Sequence, residues 1–436
     1  MRLALSLVLL SVSLVSCSKK SGLLQHLVPA SSSNDPQPVH DADASPQQDG
    51  IRIDDSSNQI QAAGRSSLTA GEHHSCVVWD GIVYCWGYGL TGQMGQGDFQ
   101  NHAEPVAVLN LGSDNMSVTA GDLHTCAIKL NGEVYCWGYN QTGAVGNGKS
   151  GREFSFSGQA KLNNVTLPTR VQGLDGVPIT QIAATKATTC ALAKTGEVYC
   201  WGSGASYQLG DGQKDSGIAH HTGMAQKVTI LGEKARDIHG GDRAFCAVTV
   251  SNRTTCWGNL TLPTEQAYPS VDLTTPKSPK SLSMADQHSC FVTQDNQLYC
   301  LGDNWYQQSG LSSVTNVWTR VYGETFSKIS TARKTTCGLT PTQTVRCWGV
   351  CLHGLCGTQF AAKLITPTQP QNVYAYTTQK SIEIEGISGA VDIAVGARHA
   401  CALLDTGRIK CWGSGFLGEL GNGDSQDSAE PLDVTL

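Results

Sequence analysis

Residues 124–148 read HTCAIKLNGEVYCWGYNQTGAVGNG, and versions of the first fifteen residues occur seven times in the chain. The other six copies begin at His74, Thr188, Ala244, His288, Thr335 and His399. Self-similarity at intervals of some tens of residues is typical of one supersecondary unit that packs against copies of itself. The sequence therefore predicts a repeat protein rather than several unrelated cores.

Each copy has two short apolar runs on either side of a turn, which is the pattern of a β-hairpin. In the second copy, pairing Cys126 with Cys136 leaves residues 130–132 as a three-residue loop with Gly132 at the left-handed position. The first copy is one residue shorter and leaves Asp80-Gly81, a favoured two-residue turn. Pro341-Thr342-Gln343 in the sixth copy does not fit the three-residue turn, so its register is the least certain prediction.

The cysteine positions predict disulfides, because cysteines directly opposite on an antiparallel pair lie near bonding distance. The predicted pairs are Cys76–Cys85, Cys126–Cys136, Cys190–Cys200, Cys246–Cys256, Cys290–Cys300, Cys337–Cys347 and Cys401–Cys411. Cys351 and Cys356 form an eighth pair in one insertion, and Cys17 completes the 17 cysteines. Zinc binding by the same pairs is the weaker hypothesis, because the short Cys-x2-Cys spacing is missing.

Composition indicates an all-β chain of 436 residues in which the repeats form one closed array. It contains 48 glycines and 7% aromatic residues, which is typical of short strands and many turns. The net charge of -6 gives no sign of nucleic-acid binding. Glycine-rich segments such as residues 143–148 recur in register with the hairpins, which favours tight turns over phosphate binding.

The amino terminus resembles a bacterial lipoprotein signal that ends in Leu14-Val15-Ser16-Cys17. The resemblance implies removal of residues 1–16, lipidation of Cys17, and an extracytoplasmic lipoprotein of the cell envelope, held at the outer membrane. Residues 18–65 are rich in Ser, Asp, Pro and Gln and are predicted to be a disordered tether. This gives three segments: a signal peptide (1–17), the tether (18–65), and the repeats (66–436).

The repeat resembles the regulator of chromosome condensation repeat, because several of its elements recur at fixed offsets. The matching positions in the first copy are Gly71, His74, Gly81, Val83, Tyr84, Trp86 and Gly87, and those in the last are Gly396, His399, Gly407, Ile409, Trp412, Gly413, Leu420 and Gly421. The resemblance implies a seven-bladed β-propeller of four-stranded blades. It also implies that residues 431–434 pair with the first blade to close the ring.

Two side chains recur within this pattern. Four copies place a histidine two residues before the first cysteine, which we interpret as a residue that forms hydrogen bonds within its own blade. Six copies carry tryptophan after the second cysteine, which indicates packing between blades. No catalytic set, metal cluster or cofactor motif stands out from the repeats.

The leading functional hypothesis is a monomeric, non-catalytic propeller, lipid-anchored in the membrane, that binds another protein through loops on one face. The candidate binding residues are the aromatic side chains Trp305, Tyr306, Trp318, Tyr374 and Tyr376, which lie in the longer insertions. Alternatives are an inhibitor of an extracellular enzyme, guanine-nucleotide exchange by family analogy, and an enzyme that acts on cell-wall carbohydrate. Export from the cytoplasm argues against nucleotide exchange.

Overall fold

Seven sheets of four antiparallel strands make up nearly all of the regular structure. The computed structural model describes residues 68–151, 153–154, 160–161, 163–213, 220–260, 267–273, 275–358 and 377–436. The predicted signal peptide, Cys17, the predicted tether, Tyr374 and Tyr376 lie outside these residues. The seven sheets confirm the prediction of a seven-bladed all-β propeller.

We number the sheets as blades 1 to 7 along the chain, with the first strand of each blade nearest the central axis. Blade 1 comprises β1 Leu68–Ala70, β2 His74–Trp79, β3 Ile82–Gly87 and β4 His102–Ala107. Blade 2 comprises β5 Asn115–Ala120, β6 His124–Lys129, β7 Val134–Gly138 and β10 Val165–Arg170. Blade 3 comprises β11 Ile179–Ala184, β12 Thr188–Ala193, β13 Val198–Ser203 and β14 His221–Lys227. Blades 4 and 5 comprise β15 Ala235–Gly240, β16 Ala244–Thr249, β17 Thr254–Asn259 and β18 Ala267–Asp272; and β19 Pro279–Met284, β20 His288–Thr293, β21 Gln297–Gly302 and β22 Thr315–Thr325. Blades 6 and 7 comprise β23 Lys328–Ala332, β24 Thr335–Leu339, β25 Val345–Val350 and β26 Thr377–Glu383; and β27 Ala390–Val395, β28 His399–Leu404, β29 Ile409–Gly413 and β30 Ser428–Val434. A two-residue pair, β8 Glu153–Phe154 and β9 Ala160–Lys161, lies in a connection of blade 2, and a short 3-10 helix spans Leu352–Gly354. No helix in the described part of the chain is long and apolar enough to cross a membrane.

Disulfides tie the second and third strands of every blade together. Cys126 lies directly opposite Cys136 in the ladder, and the same register holds in the other six hairpins. The structure contains eight disulfides, which join the seven hairpin pairs and Cys351 to Cys356. Each hairpin bond crosses between two strands within one sheet, so it fixes the register of its own blade.

The sixth hairpin corrects one expectation. Its turn was predicted not to fit, yet Cys337 lies opposite Cys347 and Leu339 opposite Val345, as in the other copies. Gln343 takes the left-handed φ of 61° that Gly132 takes in blade 2, where φ is 85°. A non-glycine residue in this conformation costs about 1 kcal/mol or more, and the disulfide and the ladder hold it there.

Ring closure corrects a second expectation. Residues 431–434 do not pair with blade 1, because β30 is the fourth strand of blade 7, with Cys411 opposite Leu432 and Ile409 opposite Val434. Blade 1 takes all four of its strands from residues 68–107. The ring therefore closes by packing between blades 7 and 1, without exchange of a strand.

The apolar core consists of seven clusters, each shared by two neighbouring blades among the described residues. The cluster between blades 1 and 2 combines Met94 and Val108 with Val118 and Trp137. The cluster that closes the ring combines Leu68 and Trp86 with Ile409 and Leu420. The tryptophans that recur after the second cysteine therefore do pack between blades, as predicted, and a single blade has no complete core of its own.

Hydrogen bonds of the repeat motif also cross the blade boundaries. His74 Nε2 donates to Thr125 Oγ1 of blade 2 over 3.0 Å, and that hydroxyl donates to the Gln93 carbonyl of blade 1. The same carbonyl accepts the indole N–H of Trp137 at 2.8 Å. Equivalent bonds join His124 to Thr189, His288 to Thr336 and His399 to Ser75. The prediction that these histidines bond within their own blade is therefore wrong, because each reaches the next blade.

The first strands of neighbouring blades are joined around the axis by side-chain bonds that the sequence reading missed. Ser283 Oγ accepts the backbone N–H of Thr331 at 2.9 Å, and Ser330 Oγ accepts that of Val395 at 3.1 Å. Gln181 accepts from and donates to the backbone of Ile238. The seven strands enclose a cavity of about 950 Å³.

Burial keeps the four motif histidines uncharged at neutral pH. It lowers the pKa of His74 and His288 to about 3, and that of His124 and His399 to about 4. An unfolded chain protonates histidine near pH 6.5. Between these limits the unfolded state binds more protons than the folded state, so these residues make the fold less stable as pH falls from about 7 towards 4.

We expect the substitution His124→Thr to reduce this acid sensitivity, because blades 3 and 6 carry threonine at the same position. The loss in free energy of unfolding between pH 7 and pH 5 should shrink by about 2 kcal/mol, as urea titrations at the two pH values would measure. Thr189→Val is the matched control, since it removes the same hydrogen bond and keeps the titrating ring. An unchanged pH difference in His124→Thr would contradict the assignment.

Candidate functional site: the loop face

The antiparallel order of the strands gives the ring two unlike faces. One, which we call the loop face, carries the connections between first and second strands (inner loops) and between third and fourth strands (outer loops). The other, the turn face, carries the hairpin turns and the links between blades. Both ends of the described ring adjoin the turn face, because Leu68 pairs with Val77 and Val434 pairs with Ile409, each near a hairpin turn.

Variation in length is concentrated in the outer loops. These span residues 88–101, 139–164, 204–220, 260–266, 303–314, 351–376 and 414–427, whereas the hairpin turns have only a few residues each. Gly89, Gly92 and Gly95 shape the first outer loop, and the last two have positive φ. An added Cβ at Gly89 would lie 1.6 Å from the Gln100 carbonyl oxygen, so the glycines here serve tight loop packing. The loop face is thus where one blade differs most from another.

The candidate aromatic residues separate in the structure. Trp305 lies in the outer loop of blade 5 with 69% of its surface exposed, and Tyr306 beside it lies under the Lys334 ammonium, 3.6 Å from the ring centroid. Trp318 lies in β22 and packs edge-on against Phe291, with ring centroids 4.7 Å apart. Trp305 and Tyr306 therefore belong to the loop face, while Trp318 packs within the blade 4–5 core.

The sequence reading missed several exposed apolar side chains on this face, Phe99 and Val314 among them. Phe416 is 77% exposed and Leu90 is 53% exposed, and both lie in outer loops. Each is three residues after the glycine that ends its Cys-Trp-Gly motif, and Trp305 occupies the same position in blade 5. Aligning the seven repeats at that glycine is the signal that would have found them.

The inner loops place charged residues around the end of the central cavity. Burial, together with the repulsion of the nearby Asp242 carboxylate, raises the pKa of Asp122 to about 7. Burial likewise raises the pKa of Asp242 to about 6, against the opposing effect of Lys186, whose ammonium lies 2.8 Å from its carboxylate. Across the ring, Arg333 forms an ion pair with Glu72. In the described part of the chain, no group of three or more His, Cys, Asp or Glu residues is placed to hold a metal ion.

Known proteins share the repeat. Models of the regulator of chromosome condensation (RCC1) repeat match residues 80–128 and 131–192, and a second model of that repeat matches 117–144, 179–208 and 390–419. Residues 80–208 and 390–419 of this chain therefore match RCC1 repeats. The four-stranded blade also continues through blades 4 to 6, which lie outside the matched residues.

Relatives and solved structures agree with this assignment. The ultraviolet-B receptor UVR8 of Arabidopsis thaliana is 27% identical over 397 residues, which are 87% of this chain and 84% of the receptor. The probable E3 ubiquitin-protein ligase HERC6 of Homo sapiens is 34% identical over 145 residues, but that match spans only 13% of the ligase. Prp20p from Saccharomyces cerevisiae has a TM-score of 0.66 at 18% identity, with 87% of this chain and 89% of that one covered. Human WBSCR16 has a TM-score of 0.66 at 17% identity, with coverages of 81% and 95%.

The buried acids predict a pH effect opposite to that of the histidines. Because the folded pKa of Asp122 lies above the ordinary value near 4, its contribution to stability is lost as pH rises from about 4 to about 7. We therefore compare the free energy of unfolding of Asp122→Asn with that of the unmodified chain. We expect this difference to shift in favour of the variant by roughly 3 kcal/mol between pH 4 and pH 8. Asp424→Asn, at an exposed acid of an outer loop, is the control. A difference that does not vary with pH in urea titrations would contradict the assignment.

Proposed function

We propose that this RCC1-repeat propeller is a non-catalytic binding protein, held outside the cytoplasm by a lipid on Cys17, and that its loop face binds another protein. The observation that carries the proposal is the division between the two faces. The loop face has the long outer loops and the exposed Trp305, Phe416 and Leu90, while Leu68 and Val434, near the two ends of the described ring, lie at the turn face. A rigid ring presents such loops with little loss of entropy on binding.

Location outside the cytoplasm is supported by the eight disulfides, since such bonds persist in oxidising compartments. On the loop face, Trp305 is 69% exposed. Large aromatic side chains on that face are the residue type that most often supplies binding energy at interfaces.

For the anchor, we expect the mature chain recovered from membranes to begin at Cys17 with a lipid on its sulfur. Mass spectrometry of the amino-terminal peptide would show the added mass, and Cys17→Ser should move the chain from the membrane to the soluble fraction. A soluble unmodified chain, or a membrane-bound Cys17→Ser variant, would remove the lipid from the proposal.

For the binding face, we expect the double variant Trp305→Ser, Phe416→Ser to lose a saturable protein ligand that the unmodified chain recovers from the envelope or secreted fraction. Recovery should fall about tenfold or more, because exposed aromatic anchors often contribute 2 kcal/mol or more each. Leu130→Ser, Val250→Ser is the matched control, since these side chains are 72% and 61% exposed on hairpin turns of the turn face. Loss of binding in the control pair alone would place the interface on the other face.

A further inference from the structure

Three basic residues lie together on one side of the loop face. Arg333 and Lys334 belong to the inner loop of blade 6, and Arg398 belongs to the inner loop of blade 7. We call these three residues the basic sector. Arg333 and Arg398 are close enough that each positive charge opposes the other, and this repulsion, after burial, lowers the pKa of Arg333. A bound anion would relieve the repulsion between these two cations, so the pair favours anion binding.

The chain neutralises only part of this charge. Glu72 of blade 1 pairs with Arg333, while Lys334 lies over the Tyr306 ring. Within the described ranges, no carboxylate oxygen lies within 4.0 Å of the Lys334 ammonium or the Arg398 guanidinium. The basic sector and Glu72 together therefore carry a net charge of about +2 at neutral pH.

The backbone also holds this sector in an unusual form. Arg333 has a φ of 43°, in the left-handed region that a long side chain rarely adopts. The residues at its position in blades 1 and 2, Glu72 and Asp122, are not among the described non-glycine residues with positive φ. Among the residues at this position, only Arg333 has a positive φ, and its side chain is 48% exposed on the loop face.

Exposed aromatic side chains lie on either side of the basic sector. Trp305 belongs to the outer loop of blade 5, next to the inner loop of blade 6 through the contact between Tyr306 and Lys334. Phe416 belongs to the outer loop of blade 7. The order around the ring is thus aromatic, basic, aromatic. The opposite side differs, because there Lys186 and Arg243 lie within 4.0 Å of the Asp242 carboxylate.

We infer that the basic sector binds an acidic segment of a protein, in which carboxylates contact Lys334 and Arg398 and apolar side chains on either side contact Trp305 and Phe416. The inference rests on the proposed function, and it names the chemistry of the bound segment. Arginine recognises carboxylates through paired hydrogen bonds, and tryptophan and arginine are both common at the centres of interfaces. A protein segment can place carboxylates between two apolar side chains, to match the order aromatic, basic, aromatic. An anionic polysaccharide does not supply such apolar side chains.

The test begins with a displayed library of random twelve-residue peptides, selected on the intact purified chain. We expect selected peptides to contain Asp or Glu between aromatic or aliphatic residues, and to bind more weakly as salt is raised. The triple variant Arg333→Gln, Lys334→Gln, Arg398→Gln should weaken the binding of a synthesised peptide about tenfold or more in calorimetry. The control Lys186→Gln, Arg243→Gln should change it less than about twofold, because those cations already have a carboxylate.

Reversing the charge of Arg398 and of the peptide tests whether the two are in contact. Arg398→Glu should bind a peptide whose acidic residue is replaced by lysine better than it binds the selected peptide. Selection without acidic residues, or equal affinity of the triple variant, overturns the inference. If the selected peptides overturn the inference but still lose binding in the Trp305→Ser, Phe416→Ser variant, the proposed function stands. If they lose binding only in the Leu130→Ser, Val250→Ser variant, the inference and the proposed function both fail. Binding of phosphatidylglycerol vesicles or polygalacturonate through the basic sector, without peptide binding, also overturns it.

Discussion

The contact between neighbouring blades is the constraint on which this structure depends. Each blade is a sheet with two apolar faces that it cannot bury alone, and every apolar cluster among the described residues is shared by two blades. The ring must therefore close for any blade to be stable. It closes with the same contacts that join the other blades: His399 bonds to Ser75 at 2.8 Å, and the Trp86 indole bonds to the Glu419 carbonyl at 2.9 Å.

Closure of this kind needs no exchanged strand. Trp79 of blade 1 packs on Gly407 of blade 7, where any side chain at residue 407 would overlap the indole ring. The Ala397 N–H of blade 7 bonds to the Glu72 carbonyl of blade 1, so the inner loops join as well. The disulfides act within blades rather than between them, because each one fixes the register of a single blade. Register within blades and packing between them are thus secured by different residues of the same short motif.

The sequence predicts the elements that depend on neighbours in the chain, and it places the tryptophans between blades correctly, but it is wrong about the histidine contacts and the last strand. Hairpins and cysteine pairs follow from residues nine or ten positions apart, and the ladder registers agree with them. The histidine contacts join residues 48 to 324 positions apart, so a single repeat contains no sign of the acceptor. The last strand was misplaced although a signal existed. Four fourth strands carry a proline, namely Pro105, Pro168, Pro269 and Pro431. Proline suits an outer edge, where its missing N–H leaves no bond unmade.

The site was predicted less well than the fold because it consists of departures from the repeat. The fourth residue before the first hairpin cysteine, in the inner loop, is Glu72, Asp122, Lys186, Asp242, Asp286, Arg333 and Ala397 in blades 1 to 7. A change of charge there leaves the motif residues of the blade interface intact, so each blade can carry a different charge at the same place. Only the closed ring shows which unlike residues become neighbours, as Glu72 and Arg333 do although 261 positions separate them. A fold built from equal units thus leaves recognition to the residues that make the units unequal, and in this ring they gather on the loop face.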